Sequence, residues 1–236
     1  MLDWRRSTGR LGRIRVPDGV LLTHQASLFK TLIPRFGAVR QRGLFCELYV
    51  IGGRGSTLGV AGNFGVGGPA TAVVVEELAA IGVQQLVSVD LGASLYAEVP
   101  SGTIVLVSDS VCEDGTSKHY VPGASVVEVA EDLSGRLAAA LAGRDVPFTT
   151  GRVWSTDAPY RETASEVLKY RARDAVIVDM ETAPFLAAGS ALGVETATLL
   201  VAADTLFDDW QPPFDGNRVQ TALRVAARAA RECLRG

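Results

Sequence analysis

The chain has 236 residues, 47% of them hydrophobic, and its 23 basic and 26 acidic residues give a formal charge of −3. That apolar content supplies one large core, and the absence of a basic surplus argues against a nucleic-acid partner. No run is apolar and long enough to span a bilayer, so no membrane partner is expected.

Residues 1–10 (MLDWRRSTGR) are followed by no apolar stretch, so no signal peptide is expected. The three cysteines, Cys46, Cys112 and Cys233, have neither metal-ligand nor framework spacing, and a sparse, odd count suits a reducing, cytoplasmic setting. Residues 19–23 (GVLLT) predict a first strand. Residues 44–51 and 57–62 predict two more, joined by a GGRG turn at 52–55. Pro69 opens a helix with Ala70, Val73, Val74, Leu78 and Ile81 on one face, and Gly82 ends it. Strands follow at 85–89 and 103–108, a helix at 125–142, a strand at 148–155 and a helix at 161–171. A buried strand at 175–178, a helix at 181–192 and a strand at 196–203 come next. A last helix runs over 215–234, with Val219, Leu223, Ala226, Ala230 and Cys233 along one stripe. The alternation predicts an α/β fold: a single domain over 1–236 with a mixed, mostly parallel central sheet flanked by helices. Ligands of such sheets sit at the carboxyl ends of strands.

The unusual residues lie at those ends. The glycine-rich segment 62–68 (GNFGVGG), with Gly65 at its centre, leads from a strand into a helix. It is either a tight turn or a place where backbone amides approach an anion. The polar segment 108–122 is long enough for a binding loop, although a solvated loop reads the same way. Asp179, Met180 and Glu181 end an apolar strand and start a helix. Their carboxylates suit either helix capping or a pair of vicinal hydroxyls. Asp204 is the first charge after the run TATLLVAA, as a cap or as a general acid.

The segments GVGGPATAVVVEELAAIGVQQLVSV, LYAEVPSGTIVLV, CEDGTSKHYVP, STDAPYRE, VDMETA and AAD follow one another in the chain. In that order they resemble the nucleoside phosphorylase family, which includes purine nucleoside phosphorylases, uridine phosphorylases and nucleosidases. The most specific matches are the DGTS-HY loop and the Met-Glu motif. The resemblance implies cleavage of the bond between base and ribose. Met180 would pack on the ribose, Glu181 would bind its 2′ and 3′ hydroxyls, and Tyr160 would line the base pocket. Asp204 would protonate or hydrogen-bond a purine ring nitrogen as the base leaves. Pro159 stands where the family often has a stacking aromatic. The Gln/Arg pair that uridine phosphorylases use for uracil has no counterpart here, so a purine nucleoside is favoured.

The phosphate signature departs from the family. Thr23, His24, Gln25 and Ala26 replace its "GDPxR" turn, Ser88 replaces an arginine, and residues 90–94, including Asp90 and Gly92, replace "GTCGA". Asp90 would repel a dianion or orient a water as a base. Asp179 and Gly92 count with the substrate-binding positions. A rebuilt anion site would draw on Gly65, His24, and Arg40 or Arg42, the arginines in the manner of family members whose neighbouring subunit completes the site. Three functions stay open: phosphorolysis with inorganic phosphate as co-substrate, hydrolysis by water, and nucleoside binding without turnover. No metal or redox cofactor is implied, and self-association as a dimer or hexamer is expected.

Overall fold

The computed structural model describes residues 15–33, 37–52, 57–206 and 216–235. Its strands are β1 (Gly19–Leu22), β2 (Ala38–Gln41), β3 (Glu47–Gly52), β4 (Thr57–Gly62), β5 (Gln85–Ser94), β6 (Ile104–Cys112), β7 (Val126–Glu128), β8 (Thr149–Ser155), β9 (Ala175–Asp179) and β10 (Glu195–Thr205). Its helices are α1 (Ala26–Leu32), α2 (Gly68–Ile81), α3 (Ser117–Tyr120), α4 (Glu131–Ala142), α5 (Ala164–Arg171), α6 (Thr182–Leu192) and α7 (Gly216–Cys233). The chain is therefore α/β, with a mixed sheet between helical layers.

Helix α2 starts with Pro69 in its first turn and stops at Gly82, which adopts φ 107° and donates to the Ala79 carbonyl. Its buried arc differs from the expected stripe. Ala72 and Val75 are inside with Val74, Leu78 and Ile81, whereas Val73 is 40% exposed. Helix α7 buries Val219, Leu223, Ala226, Ala230 and Cys233 as the stripe predicts. The helix expected over 125–142 begins only at Glu131, because Val126–Glu128 pairs with β6 as β7. The helix expected from 161 begins at Ala164, after a 3-10 turn at Pro159–Arg161. Helix α1 and edge strand β2 were not expected. Residues 1–10, the part of the GGRG turn at 53–55 and the helix start at 215 lie outside the described residues.

The strand order is β10-β6-β8-β9-β5-β1-β4-β3-β2, and β10 also pairs with β5. That extra ladder closes β5, β9, β8, β6 and β10 into a ring, leaving β1, β4, β3 and β2 as an open sheet that extends from β5. Parallel ladders join β10 to β5, β5 to β1, β1 to β4, β6 to β8 and β8 to β9; the others are antiparallel. One core lies on the side of α1, α4 and α7 and another on the side of α2 and α6. Val105, Val107, Val153, Ile177, Leu200 and Ala202 come from four of the ring strands and fill it.

β5 is much longer than the expected 85–89, and the extra residues carry the architecture. Its ladder with β1 ends at Ser88, and its ladder with β9 starts at Ala93. Between them one edge of β5 is shared with neither neighbour, and the sheet forks. Gly92 sits at the fork. A Cβ there would lie 2.7 Å from the Val178 carbonyl oxygen and 2.8 Å from Ile177 Cγ1. Its missing side chain lets β9 close on β5, a structural role beside the expected one in substrate binding. Gly92→Ala should cost about 1–3 kcal/mol of stability, measured by urea unfolding. An unchanged midpoint would show that the ring does not depend on this close approach.

Candidate functional site

The fork gathers the carboxyl ends of β1, β4, β5 and β9. β1 turns away after Leu22, so Thr23 and His24 lie across the bare stretch of β5, where Asp90 points toward them. Asp90 is 3% exposed. Its Oδ1 accepts from the His24 backbone N–H at 2.7 Å and the Thr23 hydroxyl at 3.2 Å. Its Oδ2 accepts from the Ser88 hydroxyl at 2.6 Å and faces His24 Nδ1 at 3.0 Å. A carboxylate has about four lone-pair positions, so these four contacts occupy it fully.

The other side of the imidazole is also committed. His24 Nε2 lies 2.9 Å from Thr71 Oγ1, whose own proton goes to the Gly67 carbonyl at 3.0 Å. Thr71 is thus placed to accept from His24 while Asp90 Oδ2 faces the other ring nitrogen, an arrangement that favours the protonated imidazole. Burial alone would lower the His24 pKa. The charge and hydrogen bond of Asp90, with Glu181 and Asp179 farther off, outweigh burial, and the net direction is up. Phe64 packs edge-on against the ring at 4.7 Å.

This geometry bears on two expected roles. Asp90 has no acceptor left with which to serve as a base toward a water. His24, with a side chain only 2% exposed, has no N–H left to offer an anion. The local signal that could have revealed the pair was small: a Ser-x-Asp on one strand face, whose histidine partner is 66 residues away.

Glu181 enters from the end of β9. Its Oε1 accepts the Gly67 N–H at 2.6 Å, and this joins the start of α6 to the start of α2. Burial raises its pKa most, His24 lowers it, Asp90 raises it, and the Gly67 and Met180 amides lower it; the net direction is up. Met180 lies beside Gly67, within 4.0 Å of where a Cβ would stand. Gly65, at φ 96°, is exposed in the same loop, and the amide of Gly67, just before α2, is given to Glu181.

Asp179, expected to contact substrate, is bonded into the framework. It accepts from the Ser155 hydroxyl at 2.5 Å, the Thr182 amide at 2.9 Å and the Thr182 hydroxyl at 2.6 Å. Burial, and then Glu181, push its pKa up to about 7 against those bonds. The polar loop after β6 is likewise built inward. Asp114 accepts from the Thr116 and Ser117 amides and the Ser117 hydroxyl, and Asp157 accepts the Gly115 amide at 2.7 Å. His119 is exposed.

A second cavity, of about 510 Å³, opens beside the ring and is lined by Pro159, Tyr160, Glu162, Asp204 and Leu206. Asp204 lies where the β10–β5 register shifts, so a bulge re-aims its side chain. Tyr160 is 99% exposed on the rim. Glu162, a residue the sequence did not single out, faces the same space. Burial, and then Asp204, raise its pKa to about 7. Arg40 and Arg42 lie elsewhere. Both are exposed at edge strand β2, with β3, β4 and β1 between them and β5, and Arg40 pairs with Glu47 at 3.5 Å. Within one chain they do not reach the fork.

Comparison with known proteins agrees with this architecture. The chain is 25% identical over 174 residues to a guanosine phosphorylase of Halorubrum lacusprofundi, covering 70% of this chain and 72% of that one. It is 25% identical over 180 residues to a uridine phosphorylase of Treponema pallidum, covering 71% and 70%. The crystal structure of an AMP nucleosidase from Bacteroides thetaiotaomicron shares the fold, with a TM-score of 0.77 at 18% identity over 97% of this chain and 94% of that one. The phosphorylase superfamily profile matches residues 32–236, and the chain belongs to that superfamily.

Proposed function

We propose that this protein, acting as one domain over 1–236, breaks the N-glycosidic bond of a purine-type nucleoside and uses water rather than phosphate as the acceptor. The observation that carries the choice of water is the His24–Asp90 pair. Where phosphorolysis needs a surplus of cationic donors, the fork holds one imidazole, hydrogen-bonded at both ring nitrogens, against the carboxylates of Asp90 and Glu181. A dianion entering beside them would meet net repulsion in a poorly screened space.

The remaining chemistry follows from the placement of the walls. Breaking the bond puts positive charge on the sugar and negative charge on the base. Glu181 keeps acceptor capacity beyond its amide bonds, enough for two vicinal hydroxyls of a ribose resting on Met180. Carboxylates on the sugar side also favour the developing cation. Asp204 and Tyr160 line the neighbouring cavity, which this reading assigns to the base. No cofactor enters this scheme.

Phosphorolysis stays as a second reading for one reason. Arg40 and Arg42 are exposed on an edge strand, available to the site of another copy if the chain assembles as a dimer or hexamer. The products separate the two readings. A purine nucleoside panel incubated with and without phosphate should give free base and free ribose at a phosphate-independent rate. Ribose 1-phosphate in stoichiometric yield with base would overturn the role of water.

Two variants extend the test. Glu181→Gln should fold normally and lose about 10-fold or more in turnover, because a charge-assisted bond to a hydroxyl is worth about 1.5–3 kcal/mol. Undiminished cleavage and binding would remove Glu181 from the site. Asp90→Asn tests the ion pair through stability. His24 has a raised folded pKa, so its pairing contributes fully below the unfolded value of 6.5 and is lost as pH rises through the folded value. Urea unfolding should therefore show the wild type most favoured over Asp90→Asn at the acidic side of that window, with the gap narrowing at higher pH. A gap independent of pH would mean that His24 is neutral.

A further inference from the structure

The cavity beside the ring holds two carboxyl groups. Asp204 arrives from β10, turned by the bulge between Ala202 and Asp204. Glu162 arrives from another part of the chain, just after the 3-10 turn at Pro159–Arg161 that follows β8. Both line the same cavity of about 510 Å³, with Pro159, Tyr160 and Leu206 completing its wall. Two carboxyls that share a small space do not both ionise easily, because the second charge works against the first. Burial acts most on Glu162, and the charge of Asp204 works in the same direction. A leaving purine needs a proton held ready near neutral pH.

We propose that Glu162 is the proton donor to the departing base, with Asp204 as the neighbour that keeps that proton on it. This rests on the glycosidic-cleavage reading above. In the step, the bond between the sugar carbon and the base nitrogen breaks, and its electron pair goes to the base. The Glu162 carboxyl proton passes to a ring nitrogen, so the base leaves neutral. Water forms the new bond to the sugar carbon, and its surplus proton returns to the carboxyl pair through solvent. The products are base and free sugar, and the carboxyl pair ends with the proton it started with.

The Glu162 carboxyl, raised to about 7, holds its proton below that pH and loses it above. Wild-type kcat should fall as pH rises through that value. Glu162→Gln keeps a hydrogen-bond donor but no transferable proton. It should lower kcat by about 100-fold, abolish that alkaline limb and leave KM nearly unchanged. Glu162→Asp should recover part of the rate. Carboxyl-labelled glutamate followed by NMR should show one signal titrating near the same pH, absent in Glu162→Gln and moved to lower pH in Asp204→Asn. A Glu162→Gln enzyme with wild-type kcat and an intact alkaline limb overturns this inference alone, as does the absence of a titrating signal in an active wild type. A wild type that releases base from no nucleoside overturns the functional reading, and the proton donor with it.

Discussion

A buried carboxylate must be paired, or its desolvation cost destabilises the fold by several kcal/mol. Asp90 sits mid-strand at 3% exposure, and the surrounding structure is arranged to satisfy it. The end of β1 supplies a backbone N–H, a hydroxyl and an imidazole, and β5 itself supplies the Ser88 hydroxyl. The imidazole in turn needs Thr71, and Thr71 fixes the Gly67 carbonyl at the start of α2. Gly67 then gives its N–H to Glu181. The chain of contacts runs from the floor of the fork to Glu181, and its inner members, Asp90 and His24, are fully hydrogen-bonded. The Glu181 orientation is thus set by a charge buried one layer below it.

The fork exists because β5 belongs to two structures at once. Its first half is an interior strand of the open sheet, and its second half belongs to the closed ring. The transition leaves one strand edge bare for a few residues. The fold uses that interval for Asp90 and for the backbone approach that Gly92 permits. Ligand crevices of open α/β sheets arise where strand order reverses. Here the fork arises where one neighbour leaves a strand edge and another takes it up.

Much of this was legible in the sequence. Periodicity and glycine or proline punctuation located the larger helices and the interior strands, and the charged residues at strand ends marked the rim where Glu181 and Asp204 lie. What stayed hidden has physical causes. Helix α1 has only seven residues, too few for a periodic signal, and β2 is an exposed edge with Val39 and Arg40 facing out. Asp90 looked like a group aimed at a ligand because its four donors include three from the end of β1, far away in sequence. Asp179 and Glu181 are two residues apart at a strand end, yet one is spent on α6 and the other on α2, a division only the tertiary contacts decide. Glu162 lay unnoticed in a polar turn, since its character depends on Asp204, forty-two positions on in the chain.

The β5–β10 ladder also bears on the order in which the protein can form. Gln85 and Glu195, which meet at its start, are 110 residues apart in the chain. Contacts of such separation carry a large loop-closure cost and slow folding. During synthesis β5 emerges long before β10, so its ring edge stays unpaired while the intervening strands are made. That exposed edge is the kind of transient surface that recruits chaperones or pairs with another nascent chain. The ring closes late, and a substitution that delays its closure would show first as lost soluble yield, ahead of any change in the activity of the molecules that do fold.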